Sequence, residues 1–193
     1  MPNDDGLTEQ QRKWMASVRA SLETSTGRSL AQWVEIARTC PETKPKAWQK
    51  WMKEVHGLGQ NYAMMVKHEM ARLDGAQPRD PKAMAAGLWA DPRAAATFKK
   101  LQALVDTLPG AITGQRKTYT TWSKSYAFAC ARPVGKAGEV RLGLALDPDA
   151  DKRLQPAAKE GWSERLKSTV VLASAAEVDA GLKALIEAAF ANG

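Results

Sequence analysis

The sequence predicts an α+β protein: a helical module of about four helices, then a helix, an antiparallel sheet of three to four strands and a closing helix. Three observations carry that reading. Apolar residues recur at helical spacing from Trp14 to Met70. The period then switches to two in β-forming stretches between Thr118 and Leu146. A last amphipathic run, Val178, Leu182, Leu185, Ile186 and Phe190, restores the helical period. Strands joined by short turns pair antiparallel, and a sheet with one apolar face needs a covering layer of helices.

The first helix spans about Glu9 to Thr24, with Trp14, Val18 and Leu22 on one stripe, and Thr26-Gly27-Arg28 breaks it. Ser29 caps the second, and Gln32 three residues later completes a capping box; the helix stops before Cys40-Pro41. The third starts at Pro45, a favourable first-turn proline, and Gly57 ends it as a left-handed C-cap. The fourth runs from Gln60 to Leu73. Trp14, Trp33, Trp48 and Trp51 read as core, because a small helical module depends on aromatic burial.

Asp74 to Pro81, with two prolines and a glycine, reads as a linker, extended by an Ala/Met-rich bridge containing Trp89. The expected domains are therefore residues 1–74 and 91–193, with 75–90 between them. Asp91-Pro92 opens a helix whose apolar face is Phe98, Leu101, Leu104, Val105 and Leu108. Strands are expected at 118–122, 127–130, 140–146 and 168–172. Ser123-Lys124 and the stretch 135–138 supply hairpin turns. Ser174 is expected to cap the final helix, with Glu177 as its capping-box partner.

The 193 residues carry a net charge of +7, which permits an anionic partner without requiring one. Two distant cysteines, Cys40 and Cys130, share no metal or redox spacing and fit a reducing compartment. The polar, acidic start is not a signal peptide, and no apolar run approaches a membrane span, so a cytoplasmic protein is expected. No cofactor or metal motif stands out. The acidic turn 147–151 fails as a calcium loop, since Lys152 stands in place of the glycine and no acid closes the loop. His56 and His68 lack partners at metal-ligand spacing. No nucleophile–base pattern is present, so the chain reads as a binding protein in preference to an enzyme.

Two constellations are candidates for binding. Gly57-Leu58-Gly59 joins two helices, and the N–H groups at Gly59, Gln60 and Asn61 could meet a phosphate, with Lys53 and Lys67 adding charge. The same glycines equally serve a plain inter-helix turn. The second is Arg116-Lys117-Thr118-Tyr119-Thr120-Thr121-Trp122 followed by Lys124, Tyr126, Phe128, Arg132 and Arg141, with Arg116, Lys117, Tyr119, Lys124 and Arg141 as the expected contacts: from Thr113 to Arg141 six lysines and arginines stand against one acid, Glu139, a local net charge of +5. Alternation would set Lys117, Tyr119 and Thr121 on one face, opposite Thr118, Thr120 and Trp122. Cations beside rings suit a nucleic-acid backbone with stacked bases. Basic residues also protect an exposed sheet edge, with Trp122 and Phe128 in the core. The expected partner is nucleic acid; a small anion or a protein partner is the alternative, with Arg116, Lys117 and Arg141 as its contacts.

From about Lys13 to Arg72 the chain resembles the bacterial family named domain of unknown function 4287, through Thr26-Gly27-Arg28-Ser29, Thr43-Lys44, Trp51 and Gly57-Leu58-Gly59 with Ala63. That family often has a histidine-rich stretch after the second glycine, where this chain has Gln60-Asn61-Tyr62. From about Phe98 to Phe190 it resembles domain of unknown function 5655, through Lys117-Thr118-Tyr119, Phe128, Pro133, Arg141-Leu142-Gly143-Leu144 and the closing helix. The resemblance implies the architecture above. Relatives of the second family occur beside nuclease-like domains, which implies a nucleic-acid context.

Overall fold

A computed structural model describes residues 6–76, 80–135, 138–157 and 161–193. The chain forms two compact units: Gln11–Pro78, and Arg79–Gly193 together with the segment ending at Gln10.

The first unit is built from α1 (Glu9–Thr26), α2 (Leu30–Arg38), α3 (Pro45–His56) and α4 (Gln60–Leu73). The expected capping box is present. The Ser29 hydroxyl accepts from the Gln32 N–H, and the Ser29 N–H donates to the Gln32 side chain. Gly57 ends α3 at φ 67°, a conformation open to glycine at little cost. Leu22, Trp33, Val34, Trp48, Met52, Leu58, Ala63 and Val66 form the core. Trp33 Nε1 donates to the Thr26 hydroxyl at 2.8 Å, so the indole is buried without an orphaned donor. Trp14, expected in the core, is 49% exposed. Along its stripe burial rises through half-buried Val18 to fully buried Leu22, so only the C-terminal half of the stripe reaches the core.

The second unit contains α5 (Pro81–Leu88), α6 (Pro92–Val105), β1 (Ile112–Gln115), β2 (Thr120–Ser123), β3 (Ala127–Val134), β4 (Glu139–Leu144), β5 (Gln155–Pro156), β6 (Ser168–Leu172) and α7 (Ala180–Ala191). All strands pair antiparallel in the order β1-β2-β3-β4-β6-β5. The sheet thus has six strands where three or four were expected. The additions are edge strands of four and two residues, too short for a periodic signal. The stretch read as bridge is the helix α5, capped by the Asp80 carboxylate on the Lys82 N–H. Ser174 caps only a single 3-10 turn; Asp179 caps α7 by accepting from the Leu182 N–H at 2.7 Å. Glu177 reaches back to the Ala173 N–H.

One sheet face carries the helices. Trp122, Ala129, Ala131, Val140, Leu142, Leu144 and Leu172 pack with Leu101, Val105, Leu182 and Ile186. Trp89, Phe98 and Trp122 stack in sequence, with centroids 4.3 and 6.2 Å apart. Trp89 donates to the Thr120 hydroxyl and Trp122 to the Gln102 side-chain amide oxygen Oε1. These bonds fix the connection after α5, α6 and β2 in one register. At the β1 edge the backbone of Gly6, at φ 63°, lies so close that a Cβ there would sit 3.0 Å from Gly114 Cα. Thr8 beside it is 1% exposed.

Candidate functional site

The other sheet face positions the basic cluster. Register pairs Arg132 of β3 with Arg141 of β4, and Arg141 in turn faces Val171 of β6. Two residues along, Thr121, Cys130, Gly143 and Thr169 form the next row across β2, β3, β4 and β6. Their neighbours in sequence, Thr120, Ala129, Ala131, Leu142 and Leu144, point into the helical layer and are fully buried. Alternation therefore turns Arg132, Arg141 and Thr121 to the outer face.

The chain returning into β6 lies over this face at Trp162 and Leu166. Its neck is closed by the Ala157 N–H donating to the Lys167 carbonyl at 2.8 Å. Trp162 rests directly on Gly143: a Cβ on that glycine would lie 2.6 Å from Trp162 Cε3 and closer still to Cζ3. Leu166 Cδ1 would lie 3.6 Å from the same Cβ. Arg132 holds its guanidinium carbon 5.7 Å from the Trp162 ring centroid, and the Tyr119 ring centroid lies 6.2 Å from the same ring. Two arginines, a tyrosine and a tryptophan thus share one surface. The Arg116-Lys117-Thr118 turn is exposed beside Tyr119 and is closed by the Arg116 N–H donating to the Tyr119 carbonyl.

Cys130 lies under this cluster. Burial pushes its thiol up to about 12, against the hydrogen bond with Thr121 and the field of Arg116, which act the other way. A thiol so protonated at neutral pH is no nucleophile.

The expected basic group does not form one patch. Arg116, Lys117, Tyr119 and Arg141 belong to the end of the sheet bearing the β1–β2 and β3–β4 turns. Lys124 sits in the β2–β3 turn at the opposite end, with Nζ 4.8 Å over the Phe190 ring. Lys117 lies in the turn before β2 and shares no strand face with Thr121, because β2 starts only at Thr120. Trp122 is fully buried and offers no stacking surface. Trp162 is missing from the expected constellation, and Arg132, although part of it, was not among the expected contacts. The hairpin register would have paired Arg132 with Arg141. For Trp162 the one signal was Gly143, a glycine inside a strand, which marks a close approach.

In the helical unit, Gly57, Gly59, Gln60 and Asn61 are all exposed. Gly59 is the N-cap of α4 and contributes no side-chain cap, leaving the first-turn N–H groups of α4 without one. The Gly57 N–H donates to the Lys53 carbonyl and the Leu58 N–H to that of Met52, each at 3.0 Å, so Gly57 is spent on ending α3. Lys67 Nζ lies 5.6 Å over the Trp48 ring.

Among the described residues, no group of three or more His, Cys, Asp or Glu is placed to hold a metal ion. No described helix is long and apolar enough to cross a membrane. Residues 14–72 match the family described as Domain of unknown function (DUF4287), and residues 85–193 match the Domain of unknown function (DUF5655). Comparison with curated proteins and with solved structures returns no match.

Proposed function

We propose that this chain, which belongs to the DUF5655 family, is a non-enzymatic binding protein for a phosphate-rich partner, foremost nucleic acid. The observation that carries the proposal is the pairing of Arg132 with Arg141 on the sheet face turned away from α6 and α7, beside Tyr119 and Trp162. Arginine forks suit phosphate oxygens, and a ring next to them offers a base a stacking partner. Arg116 and Lys117 extend the charge onto an exposed turn. The α4 N-terminus at Gly59, Gln60 and Asn61 is a secondary backbone contact in the same reading. Two free thiols, Cys40 and Cys130, support a reducing compartment, and the proposed setting is the bacterial cytoplasm.

The test is a salt titration of binding to labelled single- and double-stranded DNA and RNA. Removing one cation that neutralises a phosphate should flatten the slope of log K against log salt by roughly 0.7 on single strands and 0.9 on duplex DNA. Lys117→Ala combined with Arg141→Ala removes two such cations and should show about twice that flattening for the preferred partner. Failure of all four nucleic acids to bind at low salt sinks the proposal.

A second reading, a small anion on the same residues, is favoured by one observation. Trp162 and Leu166 stand over Gly143 and give the arginine pair a wall, as a small ligand needs. Binding of inorganic phosphate without any affinity for nucleic acid would select it.

A further inference from the structure

We propose a second anion site, separate from the Arg132–Arg141 cluster, in a cleft at the opposite end of the sheet. The cleft has a volume of about 350 Å³ and is lined by Ala145, Leu146, Asp147, Arg165, Lys167 and Asn192. Ala145 lies four residues beyond Arg141 along the chain that leaves β4, or about 13 Å at the rise of a strand. Its ligand is a small anion bearing a phosphate or carboxylate group.

The argument rests on how the cations are held. The Arg165 guanidinium carbon lies 4.2 Å from the Tyr126 ring centroid, and Lys124 of the same turn stands over Phe190. A ring face orients a cation through its quadrupole without neutralising it. A carboxylate partner would cancel the charge, and among the described residues neither Arg165 nor Lys124 has an ion pair. Lys167 faces Asp147, the one carboxylate of the lining, at a loose 3.7 Å, with both side chains mostly in water. The Asn192 amide donates to the Ala145 carbonyl at 3.1 Å, which anchors that wall. The cleft therefore combines an oriented, unneutralised guanidinium, a second cation, a fixed amide and an apolar floor at Leu146. A guanidinium in that setting pairs with two oxygens of one anionic group.

The site is tested on the full chain by NMR titration with sodium pyrophosphate and, separately, with citrate, each in constant chloride. The signals followed are the Asn192 side-chain amide and the Lys167 and Ala145 backbone amides. Saturable shifts of these signals with at least one probe are expected; pyrophosphate alone indicates a phosphate ligand, citrate alone a carboxylate. Arg165→Gln should weaken that binding about tenfold or more, the scale of one charged hydrogen bond. Lys183→Gln, an equal charge change on α7, should leave it unaltered. If Arg165→Gln does not fold, Lys167→Gln takes its place. Absence of saturable shifts with both probes, or equal affinity in wild type and the cleft variant, overturns the site. Neither result depends on nucleic-acid binding at the other cluster.

Discussion

Replacing Gly143 by alanine should reveal how tightly the covering segment is seated on the sheet. The new Cβ would lie 2.6 Å from Trp162 Cε3 and nearer to Cζ3, where ordinary carbon contacts are about 3.5–4.0 Å. The ring must then retreat by about 1 Å. Overpacking of this kind costs about 1–3 kcal/mol, which for a unit of this size lowers Tm by about 3–10 °C. Without Trp162 the sign should change. A strand-interior glycine is itself weakening, so Gly143→Ala in a Trp162→Ala background should be neutral or stabilising by up to about 1 kcal/mol. The measurement is a double-mutant cycle by thermal and urea denaturation, with tryptophan emission reporting the position of Trp162. The reasoning is refuted if Gly143→Ala costs the same in both backgrounds, because the glycine would then be needed for something other than the indole.

Three further outcomes are expected. Ser29→Ala should destabilise the helical unit by about 1 kcal/mol in urea denaturation, since it removes the hydroxyl that accepts from the Gln32 N–H. Cys130 should resist a thiol reagent at pH 8 until the protein is unfolded, while half-buried Cys40 reacts first. The raised Cys130 thiol also contributes stability that is whole below its unfolded value, about 8.5, and is lost as pH climbs towards 12; Cys130→Ala should flatten that alkaline decline in Tm. The Asp179 carboxylate is held below its usual range, first by the Leu182 N–H and then by Arg153. Its contribution is present above about pH 4 and fades on acidification below it, so Asp179→Asn should shrink the acid-side fall in Tm.

The helical unit was legible because its signals are local. Ser29, Gln32, Pro45 and Gly57 each act within a few residues, and each does in the structure what its position implies. The edges of the sheet were not, because β1 and β5 are defined by their neighbours and not by any pattern of their own. Asp80-Pro81 carries the same start signal as Asp91-Pro92, yet the prolines and glycine before it made α5 read as linker. The basic cluster was visible as composition, but composition cannot separate the two ends of a hairpin. Register moved Lys124 away from Lys117 and set Arg132 beside Arg141. Trp162 comes from an unpatterned stretch and meets Gly143 only through the tertiary fold.

The segment through Gln10 packs with the α+β unit although the helical unit follows it in sequence. In connectivity the helical unit is thus an insertion, entered and left by separate crossings of the chain. A single proteolytic cut between Ala76 and Asp80 would leave two fragments still clasped, with Gly6 of one seated on β1 of the other. The same clasp decides what a dissected protein would be. A fragment beginning at Asp80 bares the backbone of β1, an open invitation to another strand, whereas one that restores residues 6–10 keeps that edge closed.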